Sequence, residues 1–118
     1  MKSPKQMDLG QPAFRFALFA EMEQMAPGDV WEVASASQQD ALAKRELAAL
    51  RAWIYAERKR RKAEVLASVE AGNLPFDAVE TADPLAGILV YAEHGAEGWR
   101  LVVSKPLPPR IIKRKLTQ

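Results

Sequence analysis

Residues 38–71 contain neither glycine nor proline, and they include five consecutive cations, Arg58 to Lys62. An α-helix advances 100° per residue, so five cations in a row point to every side of it. A helix that packs against a core along its whole length cannot accommodate such a turn. The basic run must therefore stand in solvent or contact a polyanion, and this favours nucleic acid as the partner.

The ends of this helix are marked by local signals. Ser37-Gln-Gln-Asp40 has the spacing of a capping box, Gly72 suits the left-handed position after a helix, and Pro75 prevents its continuation. A helix of about 34 residues would be about 51 Å long, whereas a domain of this size has a radius of gyration of only about 13 Å. The helix must break near the basic turn, project, or pair with a second copy.

The remaining elements predict an α+β domain with an N-terminal helix, a short strand, the long basic helix and then a small antiparallel sheet that ends in a β-hairpin. Pro12 and the Pro27-Gly28 pair bound the first helix at about Ala26. The predicted strands are residues 29–33, a weak strand at 76–81, a central strand at 88–91 and a strand at 99–104, with a hairpin loop at 93–98. Residues 1–11 are predicted to be a flexible arm, 12–104 the single domain and 105–118 a proline-rich basic tail.

The net charge of +2 conceals four segments of alternating sign. Residues 1–43 carry a net −3 and residues 44–62 a net +6, whereas residues 63–104 carry −6 and residues 105–118 carry +5. Segregation of this kind produces strong local fields. The acidic segment could equally neutralise the basic ones within the fold, and that alternative stays open.

Several classes of function find no support in the sequence. The chain has no cysteine and one histidine, His94, so it lacks the ligands of a usual zinc site. No spacing of carboxylates or serines indicates catalysis, so we expect no enzyme activity, no metal and no cofactor. No apolar run is long enough for a membrane span or a signal peptide, which predicts a cytoplasmic protein without a membrane partner.

The first functional hypothesis is a small accessory or regulatory protein that binds DNA or RNA. Side chains at spacings of seven, seven and four place Lys44, Arg51, Arg58 and Lys62 on one helix face, with Tyr55 among them. Cations would contact phosphates, and the tyrosine ring would stack on a base. The predicted nucleic-acid-binding residues are Lys44, Arg51, Tyr55, Arg58, Lys59, Arg61 and Lys62 on the helix, and Arg110, Lys113, Arg114 and Lys115 in the tail.

The second hypothesis is a protein–protein adaptor or inhibitor that acts through its phenylalanine-rich first helix and its C-terminal tail. Phe16 and Phe19 fall off the apolar face of that helix. Either a second element of the fold covers them or they form a partner interface. A helix longer than its domain, together with these off-face rings, also predicts self-association as a symmetric homodimer.

Overall fold

The computed structural model describes residues 9–35 and 37–110. In chain order these form helix α1 (Pro12–Glu23), strand β1 (Val30–Ala34), helix α2 (Asp40–Glu70), a 3₁₀ helix (Phe76–Val79), strand β2 (Leu89–Gly95) and strand β3 (Gly98–Ser104). The predicted α+β class is confirmed: a helix, a strand and a long helix precede a small antiparallel sheet that ends in a hairpin.

The sheet has the order β1-β3-β2, so the last strand of the sheet in sequence is its central strand. Both of its neighbours run antiparallel to it. Val33 of β1 lies opposite Leu101 of β3, and Val90 of β2 lies opposite Val103 of β3. The prediction of a central strand at residues 88–91 is wrong, because β2 is an edge strand and Leu89 is 55% exposed. Its apolar character on both faces resembles that of a buried strand, although one face is open.

The hydrophobic core lies between one face of this sheet and the two helices. Leu101 and Val103 project from β3 into a cluster that includes Phe19 of α1 and Leu50 of α2, and all four side chains are fully buried. Burial of apolar area supplies most of the stabilisation of such a layer. The helices thus pack on one face of the sheet only, although the strands carry apolar side chains on both faces.

Helix α2 is continuous for 31 residues, about 46 Å at 1.5 Å per residue. Of the three alternatives for the long helix, a break near the basic run therefore does not occur. It begins at Asp40 without a side-chain cap: the hydroxyl of Ser37 accepts from the Gln39 amide at 3.3 Å instead of capping the helix. The predicted capping box is therefore wrong, because the Ser37 hydroxyl is used in a local turn before the helix. Gly72 has φ +79°, which confirms its left-handed position.

Other boundaries differ by a few residues. Helix α1 ends at Glu23, three residues before Ala26, and the turn that follows is held by the Asp29 carboxylate, which accepts from the Ala26 amide at 2.9 Å. The weak strand predicted at 76–81 is wrong: residues 76–79 form the 3₁₀ helix, which packs along α2, away from any strand edge. His94 lies in β2, because the hairpin loop shrinks to residues 96–97.

The folded body extends beyond the predicted domain limits at both ends. Leu9, assigned from the sequence to an arm, is 5% exposed and belongs to the core. Lys105, assigned to the tail, pairs through its backbone with Gly28 and Asp29, and its ammonium group donates to the Met25 carbonyl at 3.1 Å. The remainder of the predicted arm, residues 1–8, and of the tail, residues 111–118, lies outside the described residues.

Within the described residues, neither helix combines the length and the apolar character that crossing a bilayer requires.

Candidate nucleic-acid interface

Arg58 begins the basic run, and its charge is used inside the fold. Its Nε and Nη2 donate to Oδ1 and Oδ2 of Asp83 at 2.7 and 2.6 Å, a two-pronged pair across 25 residues. These hydrogen bonds lower the pKa of the Asp83 carboxyl below its ordinary value of 3.8. The acidic segment therefore does neutralise part of the basic one, as one of the two alternatives from the sequence proposed.

Glu57 binds two more cations of the run. Its side chain is 8% exposed, and it accepts hydrogen bonds from Arg60 and, at 3.0 Å, from Arg61. The Arg60 hydrogen bonds lower the pKa of Glu57 below its ordinary value of 4.5 and outweigh the burial that raises it. Arg60 also pairs with Glu64, so its guanidinium lies between two carboxylates of its own helix.

Arg61 connects this cluster to helix α1. Its Nη1 donates to Glu23 at 2.5 Å, and its guanidinium lies 4.3 Å from the centre of the Phe19 ring. It follows Ile54 by seven residues, and Glu57 follows Leu50 by seven, so both continue the core stripe of α2. The ion pairs of Arg61 with Glu23 and Glu57 therefore lie at the end of the core. Arg61, one of the predicted nucleic-acid-binding residues, is thus placed on the core side of the helix.

Two cations of the run, Lys59 and Lys62, form no close ion pair among the described residues, although the charge of Lys62 adds to that of Arg58 in lowering the pKa of Asp83. Both lie beside Tyr55, whose ring is 49% exposed. Together with Ala56, Arg58 and Asp83 they line an open groove of about 450 Å³. The two lysines of the basic run that form no close ion pair are therefore the ones next to an accessible aromatic ring.

The same helix face continues toward the start of α2 with further cations. Arg51 lies 5.5 Å from the centre of the Tyr55 ring, and Lys44 lies 5.2 Å from that of Trp99. Neither forms an ion pair within residues 9–35 and 37–110. From Lys44 to Lys62 the face is about 27 Å long. We name it the basic stripe; it consists of Lys44, Arg51, Tyr55, Arg58, Lys59 and Lys62.

The structure does not bring every predicted site residue to this face. Arg61 lies on the core side, and Arg110 is an exposed residue at the end of the extended proline-rich segment. The predicted tail contacts Lys113, Arg114 and Lys115 lie outside the described residues. Of the predicted partner residues, Phe16 is 47% exposed and packs edge-on against Trp53, whereas Phe19 is fully buried. Phe19 is therefore not an accessible interface residue: α2 covers it.

Two exposed apolar surfaces were missed from the sequence. One is the outer face of the sheet, where Val30, Leu89 and Tyr91 are 60%, 55% and 43% exposed. The other lies just beyond α2, where Leu74, Phe76 and Val79 are 40%, 80% and 37% exposed. The sequence predicted a weak strand at 76–81, which includes Phe76 and Val79 but not Leu74. Only the return of this segment along α2 reveals their exposure.

Comparisons with family models, with curated proteins and with solved structures find no match to this chain. Its function must therefore be argued from the arrangement of its own residues. Among the residues that the structure describes, no group of histidines and carboxylates is arranged to hold a metal ion.

Proposed function

We propose that the protein binds single-stranded nucleic acid along the basic stripe, as a small accessory or regulatory factor. One observation carries the proposal: the two lysines of the basic run that form no close ion pair in the described residues, Lys59 and Lys62, line a groove with exposed Tyr55. Cations beside an accessible ring suit a phosphate backbone with a stacked base. Arg51, whose guanidinium lies 5.5 Å from the centre of the Tyr55 ring, adds a cation beside that ring.

The stripe offers about four cations for phosphate contacts: Lys44, Arg51, Lys59 and Lys62. Arg58 is held by Asp83 and contributes less. At about 0.7 released counterions per phosphate on a single strand, log K should fall with log salt with a slope of roughly −3. This is a shallower dependence than the full basic run and tail would produce.

Binding should be measured by fluorescence anisotropy with a labelled oligonucleotide, single-stranded or duplex, between about 50 and 200 mM salt. The double variant Lys59→Ala/Lys62→Ala should weaken binding to all sequences alike and flatten the slope by roughly 1.4, from two lost phosphate contacts. Tyr55→Ala should weaken single-strand binding by about 1–3 kcal/mol and duplex binding less, because a base must be unstacked to meet the ring.

Arg45→Ala is the control, since Arg45 is exposed and without a carboxylate partner in the described part of the chain, about 100° around the helix from Lys44 and about 21 Å along it from Lys59 and the groove. It should change binding less than either lysine. No binding of either oligonucleotide at about 50 mM salt would reject the proposal, and so would equal losses in Arg45→Ala and Lys59→Ala.

A protein–protein adaptor is the second candidate, and the open outer face of the sheet favours it. Val30, Leu89 and Tyr91 lie on this face around the buried Val102, and Phe16 adds an exposed ring on α1. Affinity capture with and without nuclease separates the two functions. A partner that survives nuclease and is lost with Tyr91→Asp would support the adaptor; a partner lost on nuclease treatment would support the nucleic-acid binder.

A further inference from the structure

The second half of α2 extends beyond the core. The last fully buried apolar residue of the helix is Ile54; of the 16 residues after it, Glu57 and Arg61 still meet the end of the core, and the returning segment 71–82 packs along the helix. We name residues 55–82 the arm; this segment is distinct from the N-terminal arm predicted for residues 1–11. The radius of gyration is 18.3 Å, compared with about 13 Å for a compact domain of this size. The molecule is thus more extended than a compact domain of the same length, and α2 alone is about 46 Å long.

The tip of the arm carries an apolar knob of Leu74, Phe76 and Val79. Side chains three residues apart in a 3₁₀ helix lie on the same side, so Phe76 and Val79 form a single surface. Phe76 is 80% exposed, the highest exposure of any large apolar side chain in the described residues. A ring this exposed beside two other apolar side chains is typical of an interaction surface.

The end of the arm nearest the core, which we call its root, carries a groove that could receive an apolar ring. It is the groove of about 450 Å³ between Tyr55, Lys59, Lys62 and Asp83, and it is large enough for a phenylalanine ring. The Arg58–Asp83 pair places it on the side of α2 along which the segment 71–82 returns. Groove and knob therefore lie on the same side of the arm, with the groove toward its root and Leu74 and Phe76 nearer the end of α2.

The charges of the arm are opposite at its two ends. Lys59 and Lys62 at the root form no close ion pair in the described residues, although Lys62 acts on the nearby Asp83 carboxylate. Three carboxylates of the last helical turn and the returning segment have no cationic partner there, namely Glu70, Asp77 and Glu80. There is no lysine or arginine between residues 63 and 99. In a two-fold symmetric pair of antiparallel arms, each acidic tip would meet the basic root of the other copy.

We propose that two copies of the chain associate through their arms, with the Phe76 knob of each docked in the Tyr55–Lys59–Lys62 groove of the other. The pairing covers the exposed knob of each copy and brings the lysines of each root against the carboxylates of the other copy's tip in a single symmetric contact. It also covers the groove that the proposed function assigns to nucleic acid, so self-association and binding compete for it.

The first test is the mass in solution, by light scattering or sedimentation from about 1 to 200 μM at low salt. The wild-type mass should rise with concentration from 13.1 kDa toward twice that value. Phe76→Asp should weaken association at least tenfold. Leu107→Asp, which changes an equally apolar and 71% exposed side chain outside the arm, should associate like the wild type. A wild-type mass of 13.1 kDa throughout, or association of Phe76→Asp equal to that of the wild type, would overturn the proposal.

Charge reversal tests the symmetry. A root variant, Lys59→Glu/Lys62→Glu, and a tip variant, Glu70→Lys/Asp77→Lys/Glu80→Lys, should each remain monomeric. Their equimolar mixture should associate, because both contacts of the mixed pair join opposite charges. Association of either variant alone at wild-type strength, or none in the mixture, would contradict the antiparallel pairing. Circular dichroism and urea midpoints check that each variant is folded.

Anisotropy titrations of Phe76→Asp separate this proposal from the proposed function. Phe76 lies outside the basic stripe, so this variant should bind the single-stranded oligonucleotide at least as tightly as the wild type. A variant that neither associates nor binds would support the arm contact and count against the nucleic-acid function. A variant that binds the oligonucleotide but associates like the wild type would support the nucleic-acid function and count against the arm contact.

Discussion

Arg61 shows how a single residue in a basic run can belong to the core. Its stem and guanidinium lie against Phe19, and its hydrogen bonds reach Glu23 of α1 and Glu57 of α2. Lys59, two residues earlier, is exposed and has no carboxylate partner in the described part of the chain. Charge type alone does not distinguish the two; position relative to Leu50 and Ile54 does.

Arg61→Ala should therefore destabilise the protein by about 2–3 kcal/mol, because it removes the ring contact and leaves Glu57 with one cation fewer. Lys59→Ala should change the free energy of unfolding by no more than about 0.5 kcal/mol. Urea denaturation monitored by tryptophan fluorescence measures both. Arg61→Met, which keeps an apolar stem over Phe19, should recover part of the loss. Equal stabilities of the Arg61 and Lys59 variants would contradict this assignment.

At the scale of elements, α2 is one helix with two kinds of surroundings. Its first half packs Leu47, Leu50 and Ile54 between α1 and the sheet, whereas the apolar residues of its second half, Val65, Leu66 and Val69, are only half-buried. Local opening costs least where few apolar side chains are buried. The helix should thus be stable in the body and prone to open in the arm.

Hydrogen exchange at a concentration below the onset of association should show this difference. Amides of residues 44–58 should exchange at least about tenfold more slowly than amides of residues 62–70. Raising the concentration into the associating range should protect the second set and leave the first unchanged. Uniform protection along α2 in the dilute protein would show that the arm is not a separate unit of opening.

The order and type of the main elements could be predicted because each has a local signal. Gly72 and Pro75 end the long helix, and the alternation from Trp99 to Ser104 identifies β3. The position of β2 at an edge could not be predicted, because strand order depends on pairing of β1 with β3 across some 70 residues. The strand prediction for residues 76–81 failed for a similar reason, because the packing of this segment on α2 determines its conformation.

The candidate site could be predicted in part. Spacing alone brings Lys44, Arg51, Tyr55, Arg58 and Lys62 to one face, and the structure agrees. Pairing of Arg58 with Asp83 and of Arg61 with Glu23 joins distant parts of the chain, so no local pattern reports it. One signal was available: Glu57 and Arg61 continue the spacing of Leu50 and Ile54 and so lie on the core side.

At the scale of the whole molecule, the segments of opposite charge meet in the fold. The basic turn binds carboxylates from three places: Glu23 in α1, Glu57 and Glu64 in α2, and Asp83 beyond the 3₁₀ helix. The pKa values of Glu57 and Asp83 are lowered because their charged forms are hydrogen-bonded to arginines. Stability must consequently depend on pH.

The unfolded chain takes up protons on these carboxyls at higher pH than the folded chain does. Their contribution is therefore complete above about pH 5 and decreases as the pH falls through 4.5 and 3.8 toward the lowered folded values. The urea midpoint should decrease between pH 6 and pH 3. Glu57→Gln/Asp83→Asn should be less stable at pH 7 and show a smaller decrease. An equally steep decrease in this variant would assign the acid sensitivity to other carboxyls.

The central position of β3 has a consequence for the order in which the chain matures. Both β1 and β2 make their ladder hydrogen bonds with β3 in the described sheet, and β1 is separated from it by the whole of α2. During synthesis, the apolar stripes of α1 and α2 thus leave the ribosome long before the sheet that covers them can form. Until residue 104 has emerged, these stripes have no sheet to pack against, and pairing of β3 with β1 and β2 is the step that completes the core.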